Sequence, residues 1–263
     1  MNAQERNWST LFGHHTQESI SWYGTWTSYS LTKEVVKSFK GVRSFRANED
    51  NTIIYQTNNY TYADGREEEK NWQIDKQTCN RDDGIIHPAL PSMKVLAITP
   101  EIYGSVDKKL EPGKMLGMEL FFRNADWRTS VVVIYAKNSA IERFTQIREY
   151  LGSFPVKPPD AEVKEIDGKW IGEKQYINAD LTVSNVESIE NLTLVPLKDE
   201  NIYQTVFLPD GIVINTPKIL PSGQEFSIIA GKFVSPTEFK RLTAQYDSAG
   251  NFQRLTSEIF YRQ

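Results

Sequence analysis

Cysteine is almost missing from this sequence: Cys79 is the single thiol in 263 residues. One thiol excludes an internal disulfide and a multi-cysteine metal site. It fits a reducing compartment, so the sequence reads as that of a cytoplasmic protein. Long hydrophobic runs are missing too. No stretch approaches eighteen uninterrupted apolar residues, which predicts no membrane-spanning helix. The opening MNAQERNWSTLF carries Glu5 and Arg6 and no apolar run, so no signal peptide is expected. There is no basic excess. The net charge is −4; residues 161–263 hold ten Lys or Arg against fourteen Asp or Glu, and residues 1–160 hold twenty of each. Neither half has a phosphate-backbone footprint, which argues against nucleic-acid binding. The phosphate loop Gly-x-x-x-x-Gly-Lys, the Gly-x-Ser-x-Gly elbow and the His-Glu-x-x-His metal motif are all missing. No cofactor and no metal are expected.

What the sequence does contain is aromatic. Phe, Trp and Tyr make up 12% of residues and hydrophobic residues 39%, enough for a real core, and the 24% charged residues carry both signs. Trp8, Leu11 and Phe12 recur at helical spacing and predict a short helix over Gln4–His14. Strand patterns then dominate. TIIYQTNNYTY is β-branched and aromatic and runs into the Asp64-Gly65 turn. MELFFRN alternates Met118, Leu120 and Phe122 against Glu119, Phe121 and Arg123. TSVVVIYAK follows the turn NADW, and IERFTQIREYL reads as strand by alternation. PVKPPD, residues 155–160, has three prolines in six residues and predicts a stiff linker. Beyond it, NLTLVPLK, NIYQTVFL, IVINTPK, EFSIIAGKFV, FKRLTAQY and NFQRLTSEIFYR read as further strands. Spacing of about ten residues with short Asp/Gly/Pro turns points to antiparallel sandwiches or barrels rather than a βαβ fold. The predicted organisation is a first β-barrel with an N-terminal helix over 1–154, a linker over 155–160, and a smaller barrel over 161–263.

A repeat supports the two-barrel reading. Gly24-Thr-Trp26 opens the first half and Gly168-Lys-Trp170 the second. An indole can plug the end of a small barrel, and a nearby glycine lets a strand bend or another group approach closely. Gly-x-Trp at the start of a first strand resembles the lipocalin and calycin signature. In that group an arginine late in the barrel packs across the indole face; here the candidates are Arg148 and Arg262. The stretches SWYGTWTSYS, KSFKGVRSFRANED, YTYADG, DDGIIHPALPSM and ELFFRNADWRTSVVVIY together resemble a cyanobacterial family of tandem lipocalin-like proteins. That family is related to the plant chloroplast factor that helps assemble ATP synthase and, more distantly, to the S-type bilin lyases. The resemblance implies two tandem lipocalin-like β-barrels. It carries over no catalytic residue, because a fold hosts many functions.

Candidate site residues follow from the aromatic content. Tyr55, Tyr60, Tyr62, Trp72, Phe121, Phe122 and Trp127 fall in the first half, where filling a small barrel is the default reading, and His87 in GIIHPAL reads as a satisfied, partly buried ring. If the barrel is wide enough for a pocket, Tyr55, Trp72, His87, Phe122 and Trp127 are the candidates to line it, and Arg123 and Arg128 to meet ligand carboxylates. His14-His15 is read as a polar helix end rather than a metal site, because adjacent side chains do not face one ion. Cys79, between charges of both signs, is read as a spectator thiol. The favoured function is a non-enzymatic binding or assembly protein, holding a protein partner or a small apolar or tetrapyrrole ligand. A bilin-handling protein and a barrel enzyme acting on a hydrophobic substrate are the alternatives.

Overall fold

A computed structural model describes all 263 residues, Met1–Gln263. Apart from the helix α1 (Ala3–Phe12) and the single turn α2 (Lys76–Cys79), every regular element is a strand. The chain divides into two compact units, and the division is not one cut. Residues 1–107, 117–133 and 143–157 form the first unit; 108–116, 134–142 and 158–263 form the second.

The first sheet has eleven strands: β1 (Ile20–Tyr29), β2 (Val35–Ala47), β3 (Ile53–Thr61), β4 (Glu67–Asp75), β5 (Asn80–Arg81), β6 (Gly84–His87), β7 (Leu90–Thr99), β8 (Ile102–Asp107), β9 (Leu116–Asn124), β10 (Trp127–Tyr135) and β11 (Ile141–Leu151). Their order is β4-β3-β2-β1-β11-β10-β9-β8-β7-β6-β5, which curls into a nearly closed barrel with a seam between its first and last strands. Side chains bridge the seam: the Trp72 and His87 rings lie 5.2 Å apart.

Strand β1 shows how local sequence sets this geometry. Trp22, Gly24 and Trp26 alternate inward, and a register shift between Ser28 and Tyr29 brings Tyr29 rather than Ser28 to the buried face. A Cβ on Gly24 would lie 2.3 Å from the Arg148 carbonyl oxygen, so glycine permits the close β1–β11 approach. Gly41, opposite Gly24 on β2, makes room for an indole: a Cβ there would lie 2.4 Å from the Trp26 ring.

Helix α1 closes one end of the barrel. Asn2 caps it by accepting the Glu5 amide at 2.8 Å. Trp8, Leu11 and Phe12 pack with Ala47, Ile54, Ile74, Ile85 and Ala97 from the strand ends. Asn7 pins the helix to β7, donating to the Val95 carbonyl and accepting from the Ala97 amide. Trp26 sits toward the other end, level with the β1–β2 and β3–β4 hairpins. It stacks on Phe39 (centroids 5.8 Å) and meets Tyr60 edge-on. Cys79 ends α2 and is buried among the helix contacts.

The second sheet has seven strands: β12 (Trp170–Asn178), β13 (Glu187–Glu190), β14 (Tyr203–Leu208), β15 (Ile212–Pro217), β16 (Phe226–Ser235), β17 (Glu238–Tyr246) and β18 (Phe252–Arg262), in the order β13-β12-β18-β17-β16-β15-β14. Its core gathers Trp170, Val213, Phe239 and Phe260 with Phe207 and Phe233 around them. NLTLVPLK is not a strand. Asn191 adopts φ +68° at the end of β13, and Leu192 and Leu194 turn into the core instead of entering a ladder. Asn215 side-chain bonds satisfy the amide and carbonyl of Leu197.

Candidate functional site

The first barrel encloses a cavity of about 430 Å³ between α1 and the Trp26 cluster. Its exposed lining residues mark two places where it meets solvent: Lys70, Ala89 and Leu90 along the seam, and His14 and Pro100 beside the end of α1.

Three groups of side chains build its wall. A buried charge cluster forms the first. Glu149 is fully buried; its Oε1 accepts from Arg43 Nε at 2.9 Å and its Oε2 from Arg128 Nε at 2.8 Å. Glu119 Oε1 accepts from both terminal nitrogens of Arg43, at 3.4 and 3.3 Å, and from Ser130 Oγ at 2.6 Å. Burial pushes the Glu149 carboxyl up, but the guanidiniums of Arg128 and Arg43 outweigh it and hold the carboxyl below its ordinary range. Burial likewise works against charge on Arg43, and Glu149 and Glu119 overcome it, raising its pKa. Arg43 also lies 5.2 Å from the Trp26 ring centre.

The second group is a hydrogen-bond chain across the seam. The Ala89 amide donates to His87 Nδ1 at 3.1 Å, which places the imidazole proton on Nε2, facing Gln56 Oε1 at 3.0 Å. Gln56 Nε2 donates to Asn58 Oδ1, and Asn58 Nδ2 to the Tyr60 hydroxyl at 2.7 Å. Positions 56, 58 and 60 share one face of β3 by the two-residue period. Burial, reinforced by Arg43, lowers the His87 pKa to about 4, so the ring is neutral at neutral pH.

The third group lies at the helix end. Arg128 and Arg123 flank the Trp22 indole, at 4.5 and 5.1 Å. His15 packs against Phe12 and Phe45. Its burial, with His14 and Arg128 adding to the effect, lowers its pKa to about 3.

The residues expected from sequence to form the pocket divide between the two faces of the wall. Trp72, His87 and Arg123 line the cavity, with Arg128 beside them. Tyr55, Phe122 and Trp127 do not. Tyr55 carries the Arg46 guanidinium 4.1 Å above its ring. Phe122 is buried on the opposite face of β9 from its neighbour Phe121, which lines the cavity. Trp127 meets Tyr150 and lies under Arg148, 4.2 Å away. The arginine over Trp26 is therefore Arg43 of β2, and Arg148 covers a different indole. His15, Arg43, Glu119 and Glu149 had no signal in the sequence beyond their residue types.

Strand register relates the two barrels residue by residue. The Leu151 amide bonds the Asp126 carbonyl as Arg262 bonds Thr237, and Gly152 bonds Ser21 as Gln263 bonds Lys169. Trp22 pairs with Leu151 as Trp170 pairs with Arg262. A Cβ on Gly172 would strike the Ile259 carbonyl as one on Gly24 strikes Arg148. The structural repeat is thus Trp22-x-Gly24 with Trp170-x-Gly172; Gly24/Trp26 and Gly168/Trp170 are four residues out of step. Gly168 instead takes φ +84° beside the Arg262 guanidinium. In this register Arg128 corresponds to Phe239 and Glu149 to Phe260. The pairing of Ile102 with Phe122 and of Ile212 with Lys232 likewise matches Arg123 to Phe233. The charged end of the first cavity occupies positions that form the apolar core of the second barrel.

Comparisons with known proteins agree with this architecture. Residues 4–154 match the N-terminal domain of the family described as a domain of unknown function, DUF3598. Residues 162–259 match the C-terminal domain of a biogenesis factor required for ATP synthase. A crystal structure of a DUF3598 protein of unknown function from Nostoc punctiforme superposes with a TM-score of 0.75 at 16% identity, covering 98% of this chain and 99% of that one. Kievitone hydratase from Nectria haematococca aligns over 98% of this chain and 92% of its own at 8% identity, but its TM-score of 0.27 carries no argument. No curated protein matches the chain. These matches support the resemblance to the biogenesis factor and give none to the bilin lyases. No helix is long and apolar enough to cross a membrane.

Proposed function

The chain belongs to the DUF3598 family, and from that premise we propose that it is a non-enzymatic assembly protein that holds a protein partner during the biogenesis of an ATP synthase. The observation that carries this reading is the match of residues 162–259 to the C-terminal domain of the biogenesis factor. The second unit offers a surface that suits a protein partner. Glu190, Ile171, Tyr261 and Glu238 form one outward row across β13, β12, β18 and β17. Ile171 and Tyr261 are 41% and 46% exposed at its centre, an apolar pair between two carboxylates. β13 ends the sheet beside this row, and a terminal strand can accept a further one. The setting we infer is the cytoplasm, which the single buried thiol fits.

Size-exclusion chromatography of the full chain with isolated subunits of the soluble catalytic head of ATP synthase tests this proposal. One subunit is expected to co-elute with the chain, and the double substitution Ile171→Asp, Tyr261→Asp is expected to weaken that complex while the circular dichroism spectrum stays unchanged. Failure of every subunit to bind the unaltered chain refutes the reading.

A further inference from the structure

Two buried polar atoms at the helix end of the first cavity have no hydrogen-bond partner: Arg128 Nη2 and His15 Nδ1. Both residues line the cavity. Arg128 is 6% exposed, and its charge acts on His15. A buried donor without an acceptor is destabilising, and more so when it is charged. A fold keeps such a group when something else satisfies it.

In the second barrel these positions carry no charge, and its own buried ion pair, Arg241 with Glu258, lies at other positions. Phe239, Phe260 and Phe233 occupy the positions of Arg128, Glu149 and Arg123, and there they pack around Trp170 as an ordinary core. Replacing buried ion pairs by apolar groups is often neutral or stabilising. The first barrel instead keeps the charged set and leaves a cavity beside it. Each Glu149 oxygen accepts one guanidinium Nε, from Arg43 and from Arg128, and Arg43 directs its remaining nitrogens to Glu119. The unfilled valence of the cluster is therefore a cationic donor edge on Arg128. Around it the wall is aromatic: Trp22 lies under the guanidinium, Phe45 lies 5.6 Å from it, and Tyr103 stacks on Phe121 further along.

We propose that the first barrel binds a small aromatic carboxylate, its anionic head on Arg128 Nη2 and His15 Nδ1 and its planar body between the rings of Trp22, Phe45 and Phe121. Arg128 supplies the charge, and the neutral His15 ring adds a second donor in the tautomer that carries its proton on Nδ1. A volume of about 430 Å³ lies within the ~300–1,000 Å³ of small-molecule pockets. The site stands on the first barrel alone and is independent of the assembly role.

Paired fluorescent probes test it on the full chain. 8-Anilinonaphthalene-1-sulfonate carries an anion, and N-phenyl-1-naphthylamine is its neutral counterpart. The sulfonate is expected to bind at one saturable site, roughly tenfold or more tighter than the neutral probe, the range for a hydrogen bond to a charged group. 1-Naphthoate should displace it, and 1-methylnaphthalene should not. Arg128→Lys keeps a cation for Glu149 but removes the Nη2 edge and its fixed direction, so it should weaken the preference for the anion several-fold while the neutral probe binds as before. His15→Phe should reduce the same preference. Equal affinity of the two probes for the unaltered chain overturns the proposal, whether or not either variant folds. So does an anion preference that neither substitution weakens.

Discussion

Glu149→Gln is the sharpest perturbation of the first barrel. The change is nearly isosteric, so no cavity opens and the effect is electrostatic. In the native protein both Glu149 oxygens accept guanidinium N–H groups, at 2.9 and 2.8 Å, and the side chain is wholly buried. The amide keeps one acceptor and turns the other into a donor that faces a donor. Arg43 still has Glu119, whereas Arg128 has no other carboxylate within salt-bridge distance. Removing one partner of a buried ion pair costs about 3–5 kcal/mol, and the retained Arg43–Glu119 pair places the expected loss toward the lower end. Urea denaturation followed by indole fluorescence reads this unit, because five of the six tryptophans lie in it. The midpoint should fall with an unchanged slope. A loss below about 1 kcal/mol, the size expected of a surface pair, would refute the claim that Glu149 neutralises the cluster.

Trp26→Ala should cost about 3–5 kcal/mol by emptying the space between Gly41, Phe39 and Tyr60; a loss under about 1 kcal/mol in the same assay would contradict its role. Gly41→Ala should cost about 1–3 kcal/mol by driving a methyl into the Trp26 ring, and Trp26→Leu in the same chain should recover part of that loss. Acid should destabilise the first unit early. Unfolded imidazoles take up protons below a pKa of about 6.5, while His15 and His87 do so only near 3 and 4 in the fold, so stability declines as pH falls through that window, by about 2 kcal/mol for each ring at pH 5. His15→Phe and His87→Phe should flatten the decline between pH 7 and 5, and an unchanged pH profile in both would contradict it.

The sequence exposes the strand architecture because its signals are local. Alternation in β9 and β11, the Asp64-Gly65 turn and the helical spacing of Trp8, Leu11 and Phe12 each act within a few residues. The face of a strand is harder to read. In β9 both Phe121 and Phe122 are apolar, and the cavity takes the face that also carries Glu119 and Arg123, while the more apolar face of Met118, Leu120 and Phe122 is buried on the other side. Alternation alone therefore does not tell which of these two adjacent rings faces the pocket. The charge cluster is less legible still: Arg43, Glu119, Arg128 and Glu149 come from four strands separated by up to 106 residues, and apart from Arg128, on the late hairpin, nothing local marks them. The Gly-x-Trp repeat points to two barrels of common design, yet the register pairs Trp22 with Trp170. A three-residue motif cannot fix an alignment that the ladder hydrogen bonds can.

Deleting the gene in its own host and measuring assembled ATP synthase on native gels, against the synthesis of its subunits, tests the assembly role most directly. Assembled enzyme should fall while the subunits are still made, and the full chain should restore it where the Ile171→Asp, Tyr261→Asp variant does not. Normal amounts of assembled enzyme in the deletion strain would contradict it.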